Sequence, residues 1–188
     1  MPPEPQAATQ PLALQLAEMQ TRLGQVEADA RQNRLSMVVF SGSLDRIIAS
    51  LVLATTAAAS GMEVELFFTF WGLSALRDAG KKAKKTLIEK MFGWMLPRGT
   101  RKLPLSQMHM AGMGPIMMRK IMTQKNVASP EALLATAGEL GVTIYACEMS
   151  MGVMGFKDEE LIDYPHLSRC GAATFIDRAA SGKVTLFI

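Results

Sequence analysis

With 188 residues, 49% of them hydrophobic, the chain can bury one sizeable core and is too apolar to be a disordered tail. Its mild net charge of +3 and 6% aromatics argue against nucleic acid as a partner, because base stacking needs aromatic side chains among the basic ones. Two cysteines exclude a disulfide scaffold, and no apolar run reaches the roughly 18 residues that span a bilayer.

Residues 1–11 (MPPEPQAATQP) lack apolar periodicity and read as disordered. They also lack the basic start and apolar centre of a signal peptide, so a reducing cytoplasm is the expected compartment. Leu12, Leu16, Met19, Leu23 and Val26 follow at steps of four and three, with Glu, Gln and Arg between them. That stripe predicts an amphipathic helical arm over 12–34, either a short coiled coil between subunits or a helix lying on its own domain.

The main domain is expected over 35–188. LSMVVFSGS reads as a strand ending in a Ser/Gly turn, and LDRIIASLVLATTAAASG as a helix with Ser43 as its cap and Asp45 in its first turn. MEVELFFTFWG reads as a second strand running into Trp71 and Gly72. Strand, helix, strand at this spacing is a βαβ unit, hence a parallel sheet.

Residues 81–125 break the pattern. Two short helices, about 86–95 and 115–123, flank a Pro/Gly/Arg loop, and eight of the fifteen methionines fall between 91 and 122. Residues 77–125 also hold twelve of the twenty Lys/Arg against two acids, Asp78 and Glu89, so a basic, Met-rich insertion is expected. It suits an acidic partner, an anionic ligand or a membrane surface, or is simply a solvated lysine face. SPEALLATAGELG then signals a helix capped by Ser129 with Pro130 at its first position. VTIYAC is a third strand, KDEELID one or two helical turns, GAATFIDRAASG a helix and KVTLFI a last strand. The fold class is α/β, a mostly parallel sheet sandwiched by helices, with at least four strands.

Ligands of parallel α/β sheets bind outside the carboxyl ends of the strands. Those ends are Ser41, Gly42 and Ser43; Trp71 and Gly72; and Cys147, Glu148, Met149 and Ser150. Two readings of Cys147 stand: a buried strand residue, or a thiol at a loop mouth whose neighbouring amides favour the nucleophilic thiolate. Met149, Met151 and Met154 would then wall the thiol. Glu148 beside it would raise a thiol pKa if close. Cys170, next to Arg169 before a helix, reads as structural, though a resolving role is conceivable. His109 among Met108, Met110 and Met113 reads as packing rather than a copper site, and His166 carries no role. Without zinc spacing, a P-loop or a GxGxxG after the first strand, neither metal nor cofactor is expected.

Three stretches together resemble a known family: MVVFSGSLDRIIASLVLATTAAASGMEVELFFTFWGLSAL, KKTLIEKMFGWMLPRGTRKLPLSQMHMAGMGPIMMRKIM and ACEMSMGVMG. They are similar to the DsrE/DsrF/DsrH-like superfamily, in its larger DsrE-2-type (peroxiredoxin-like) branch with a Met-rich insertion. The resemblance covers 35–188 and implies a parallel α/β fold, a homo-oligomer and a sulfur-relay role. Cys147 would accept sulfane sulfur as a persulfide or thiosulfonate adduct and exchange it with a TusA-like or rhodanese-like carrier, so the chain would be a sulfurtransferase-like carrier. Ser41, Gly42, Ser43, Trp71, Gly72, Met149 and Ser150 are the expected binding residues. Where the family often has a neutral residue after the cysteine and an acid before Val-Met-Gly, this chain has Glu148 and Gly152. The alternative is a non-enzymatic module that docks a membrane or protein through the basic insertion.

Overall fold

The computed structural model describes residues 12–29, 32–81, 83–108 and 110–188. The expectations for residues 1–11 and for His109 therefore lie outside the described residues. The chain divides into two units, Met1–Gln32 and Asn33–Ile188. The first holds helix α1 (Leu12–Asp29), which carries the predicted stripe and an i,i+4 ion pair from Arg22 to Glu18 at 2.8 Å. The expected arm ended at 34, but strand β1 already starts at Gln32.

The second unit is built on a five-stranded sheet in the order β4-β3-β2-β1-β5. Its strands are β1 (Gln32–Val39), β2 (Glu63–Phe68), β3 (Thr143–Cys147), β4 (Leu167–Cys170) and β5 (Gly182–Phe187). β1 to β4 pair in parallel. β5 joins β1 with the same sense, the Ile188 N–H donating to the Val38 carbonyl and the Phe40 N–H to the Ile188 carbonyl.

Alternation along the strands gives the sheet two different faces. Leu35, Met37, Val39, Val64, Leu66, Phe68, Ile144 and Ala146 enter one large apolar core. Helices α2 (Leu44–Ala59) and α5 (Pro130–Glu139) pack against each other there, and Ser129 caps α5 by accepting from the Ala132 N–H as predicted. The opposite face is smaller and more polar. Phe67, Cys147 and Cys170 cluster there with Phe175 and Ala179 of helix α7 (Ala172–Ala180). Beside them Arg178 donates to the buried Glu65 carboxylate, and Arg34 to Glu63.

The insertion carries α3 (Leu87–Met95) and α4 (Met113–Gln124), close to the predicted spans. A buried charge cluster docks α3. Arg77 donates to the carbonyls of Gly93, Leu96 and Pro97, pairs with Glu160 at 3.4 Å, and lays its guanidinium 4.6 Å from the Phe156 ring centre. Lys85 also pairs with Glu160, so one buried carboxylate answers two buried cations. Removing a carboxylate in that position is costly, because it leaves buried charge without a partner.

Three elements differ from the sequence expectation. Residues 148–154, read as a loop, form helix α6 (Glu148–Met154), and residues 167–170 form a fifth strand. The second strand stops at Phe68, and Phe70–Leu76 is a 3-10 helix.

Candidate functional site

The site begins with the period of β3. In Thr-Ile-Tyr-Ala-Cys, Ile144 and Ala146 take the large core, which turns Tyr145 and Cys147 to the α7 face. The strand ends at Cys147, and α6 starts at the next residue. Cys147 therefore occupies the helix cap, where the first amides of a helix have no intrahelical acceptor.

The Ser150 hydroxyl donates to Cys147 Sγ at 3.3 Å. The Thr69 and Ser150 hydroxyls lie 2.8 Å apart. Ser150 has one hydroxyl proton and gives it to sulfur, so Thr69 is the donor of that second bond. Burial pushes the thiol pKa up. The Ser150 hydroxyl first, with the dipoles of the Ser150 and Met149 N–H groups and of Thr69 nearby, more than offsets it, and the thiol lies below its ordinary range. A thiolate is the species such a shell favours.

Both sequence readings of Cys147 hold a part of this. The residue stands at a strand end among helix amides, and it is also buried, with 2% of its surface exposed. The expected methionine wall is not formed. Once 148–154 is helical, Met149 points outward and Met151 and Met154 join the large core. The thiol's apolar surroundings are aromatic instead: Phe67 and Phe175 stack at 4.7 Å between centroids. Glu148 is exposed, and its charge adds to burial and to the Cys147 charge in raising the pKa of Cys170.

Of the other expected binding residues, only Ser150 bonds the sulfur. Ser41, Gly42, Ser43 and Trp71 gather round a separate open cavity of about 260 Å³, completed by Ser74, Leu96, Pro97 and Pro104. Cys147 does not line it. There the Ser41 and Ser43 hydroxyls lie 2.8 Å apart. The glycines of this region have a backbone reason. A Cβ on Gly42 would lie 2.5 Å from the Trp71 carbonyl oxygen, and one on Gly72 would lie 2.2 Å from that of Val39. The loops after β1 and β2 cross too closely for any side chain there. A larger cavity of about 690 Å³, lined by Arg98, Thr100, Leu134 and Tyr164 among others, contains none of the expected site residues.

Sequence reasoning missed Thr69. The signal was present: it closes β2, the strand beside β3, and a polar side chain at that strand end faces whatever ends β3. It also missed that Cys170 and Cys147 are register partners on adjacent parallel strands.

Comparison with known proteins places these features in context. The model of the DsrE/DsrF/DrsH-like family matches residues 31–187. Uncharacterized protein YrkE of Bacillus subtilis is 42% identical over 156 residues, 82% of this chain and 96% of its own. Sulfur carrier protein DsrE2 of Allochromatium vinosum is 35% identical over 161 residues, 84% of this chain and 99% of its own. Among solved structures, the YchN protein of E. coli aligns with a TM-score of 0.47 at 14% identity, over 82% of this chain and 98% of its own.

Proposed function

The chain belongs to the DsrE/DsrF/DrsH-like family, and from that premise we propose that it is a sulfur-relay protein whose acceptor is Cys147. The observation that carries this reading is the place of Cys147 Sγ, at the end of β3 and the start of α6, where it accepts the Ser150 hydroxyl proton at 3.3 Å and Thr69 backs that serine. A relative named as a sulfur carrier supports it. In the step, the Cys147 thiolate attacks the sulfane sulfur of a donor persulfide. The donor's S–S bond breaks, its thiolate leaves, and Cys147 becomes a persulfide with no net oxidation. With tetrathionate the same attack leaves a thiosulfonate adduct and expels thiosulfate. Delivery reverses the step onto a TusA-like or rhodanese-like carrier in the cytoplasm, from a homo-oligomer of this chain.

Burial sets a condition on the step. With Sγ covered by α7 and the Phe67–Phe175 pair, small inorganic sulfur species reach it more readily than bulky disulfides. Mass spectrometry after incubation with polysulfide or tetrathionate tests the reading. The wild type gains sulfur on the Cys147 peptide, and Cys147→Ser gains none at that peptide. A folded wild type that never carries an adduct there overturns it.

A second reading has its own observation. α3 exposes Leu87, Met91, Trp94 and Met95, and α4 exposes Met113, Ile116, Met117 and Ile121, each along one helix face. Trp94 is 85% exposed, and Lys90 and Lys120 lie on the same helices. Among the described residues no helix is long and apolar enough to cross a membrane. Apolar faces with a tryptophan and flanking lysines suit the surface of an anionic bilayer. Sedimentation with phosphatidylserine vesicles is expected to carry the wild type down and to lose Trp94→Ala/Met95→Ala. Equal sedimentation of both leaves these faces to a protein partner.

A further inference from the structure

Cys170 has no part in the relay step above, yet its position is specific. Cys147 and Cys170 are the last residues of β3 and β4 and stand opposite each other in register. In-register neighbours on parallel strands project to the same face, and both sulfurs lie in one cluster with Phe67, Phe175 and Ala179. Both cysteines are free. We infer that Cys170 is the resolving thiol for sulfur held on Cys147, discharging the persulfide as hydrosulfide and leaving a Cys147–Cys170 disulfide. This inference rests on the relay reading above.

The step closes on its own atoms. The Cys170 sulfur attacks Cys147 Sγ, and a new S–S bond forms with electrons from Cys170. The bond from Sγ to the sulfane sulfur breaks, and that sulfur leaves with the bonding pair and the Cys170 proton. The sulfane sulfur is reduced to sulfide while the two protein sulfurs become a disulfide, so no outside oxidant enters.

Geometry favours this partner over an external one. Adjacent strands lie about 4.8 Å apart, inside the Cα separation of about 4.4–6.8 Å that a disulfide spans. The usual Cβ separation in a disulfide is shorter, about 3.5–4.5 Å, so bridging draws the two strand ends together. A disulfide closed under such strain is readily reduced again. Cys147 is 2% exposed and Cys170 8%, so an incoming protein thiol must wait for the site to open, whereas Cys170 is already beside it. Burial, then the charges of Cys147 and Glu148, raises the Cys170 pKa, so its attacking thiolate is scarce at neutral pH and the discharge quickens as pH rises.

The test is a single discharge. The full chain is loaded with limited polysulfide and freed of excess. Released sulfide is then followed while the Cys147 and Cys170 peptides are mapped without reduction. Wild type is expected to release sulfide in step with the appearance of the linked peptide. Cys170→Ser and Cys170→Ala still take up sulfur but lose that release and keep the adduct. Two variants are used so that a folding defect in one, seen in its thermal melt, does not stand in for the result. Equal release from wild type and both variants, with no linked peptide, overturns the inference and leaves the relay reading intact. No adduct on Cys147 in any of the three proteins overturns the relay reading itself.

Discussion

The ends of β3 and β4 present two cysteines in one register and one apolar cluster, both buried, with their thiol pKa values displaced in opposite directions. Burial is the largest single influence on each and pushes both up. What separates them is how the chain continues. After Cys147 the helix starts at once, which brings the Ser150 hydroxyl, backed by Thr69, onto the sulfur. After Cys170 the cap of α7 is Gly171, one residue further on, and the influences on the thiol that follow burial are the negative charges of Cys147 and Glu148. A one-residue difference in where a helix begins thus goes with a lowered pKa for one buried thiol and a raised pKa for its neighbour.

The comparison breaks most readily at Ser150. Ser150→Ala removes the donor to Sγ and leaves the Thr69 hydroxyl without its acceptor. Losing a hydrogen bond to a charged group costs about 1.5–3 kcal/mol, so alkylation of Cys147 at neutral pH should slow about tenfold or more. The rate-against-pH curve for Cys147 should shift upward, while that for Cys170 should move by less and downward, because the Cys147 charge that opposes its ionisation forms later. Peptide-resolved iodoacetamide labelling across pH measures both. An unmoved Cys147 curve would mean the hydroxyl is structural.

Thr69→Val is the next step down. Valine keeps the shape and removes one hydroxyl, which acts partly through Ser150. The Cys147 curve should move in the same direction by less, a few-fold in rate at neutral pH on the scale of a neutral hydrogen bond of about 1 kcal/mol.

The opposite shifts also make opposite pH dependences of stability. The lowered Cys147 pKa contributes stability that is present above the ordinary thiol value and is lost as pH falls through the folded value. The raised Cys170 pKa contributes stability that is present below the ordinary value and is lost as pH rises through the folded one. Chemical denaturation of Cys147→Ser and Cys170→Ser should show this as slopes. Relative to wild type, Cys147→Ser loses ground as pH rises towards the ordinary thiol value. Cys170→Ser gains ground above it. Parallel pH curves for the three proteins would mean that the two sites do not differ.

Much of the frame was legible in the sequence, because strong periodic signals carry it. The apolar strands, the helix over Leu44–Ala59, the Ser129-Pro130 start of α5 and the two insertion helices all follow from spacing and caps. Cys147 at a strand end followed from the strand order. Two short segments were not legible. Glu148–Met154 contains Gly152 and no apolar stripe long enough to separate helix from loop, and Leu167–Cys170 has four residues with no alternation to find. Both segments decide the chemistry. One sets the donors around Cys147, and the other brings Cys170 to it from 23 positions away in the sequence. The glycines of the FSGS and FWG blocks were visible as strand-end glycines, but their reason is the crossing of two loops, which appears only in three dimensions.

The smallest effect concerns the residue that fitted the sequence worst. A carboxylate adjacent to a reactive thiol should oppose its ionisation, yet Glu148 is exposed and its charge falls on Cys170. Glu148→Gln should therefore ease ionisation of Cys170. An exposed charge acts weakly through water, at about 0.2–1 kcal/mol, so the gain in Cys170 labelling at alkaline pH should be about twofold. It should fade as salt screens the charge in the wild type. The Cys147 curve should move less than that of Cys170. If Cys147 gains more from the substitution, the carboxylate bears on Cys147 instead, and the contrast between the two strand ends would rest on the Ser150 and Thr69 hydroxyls alone.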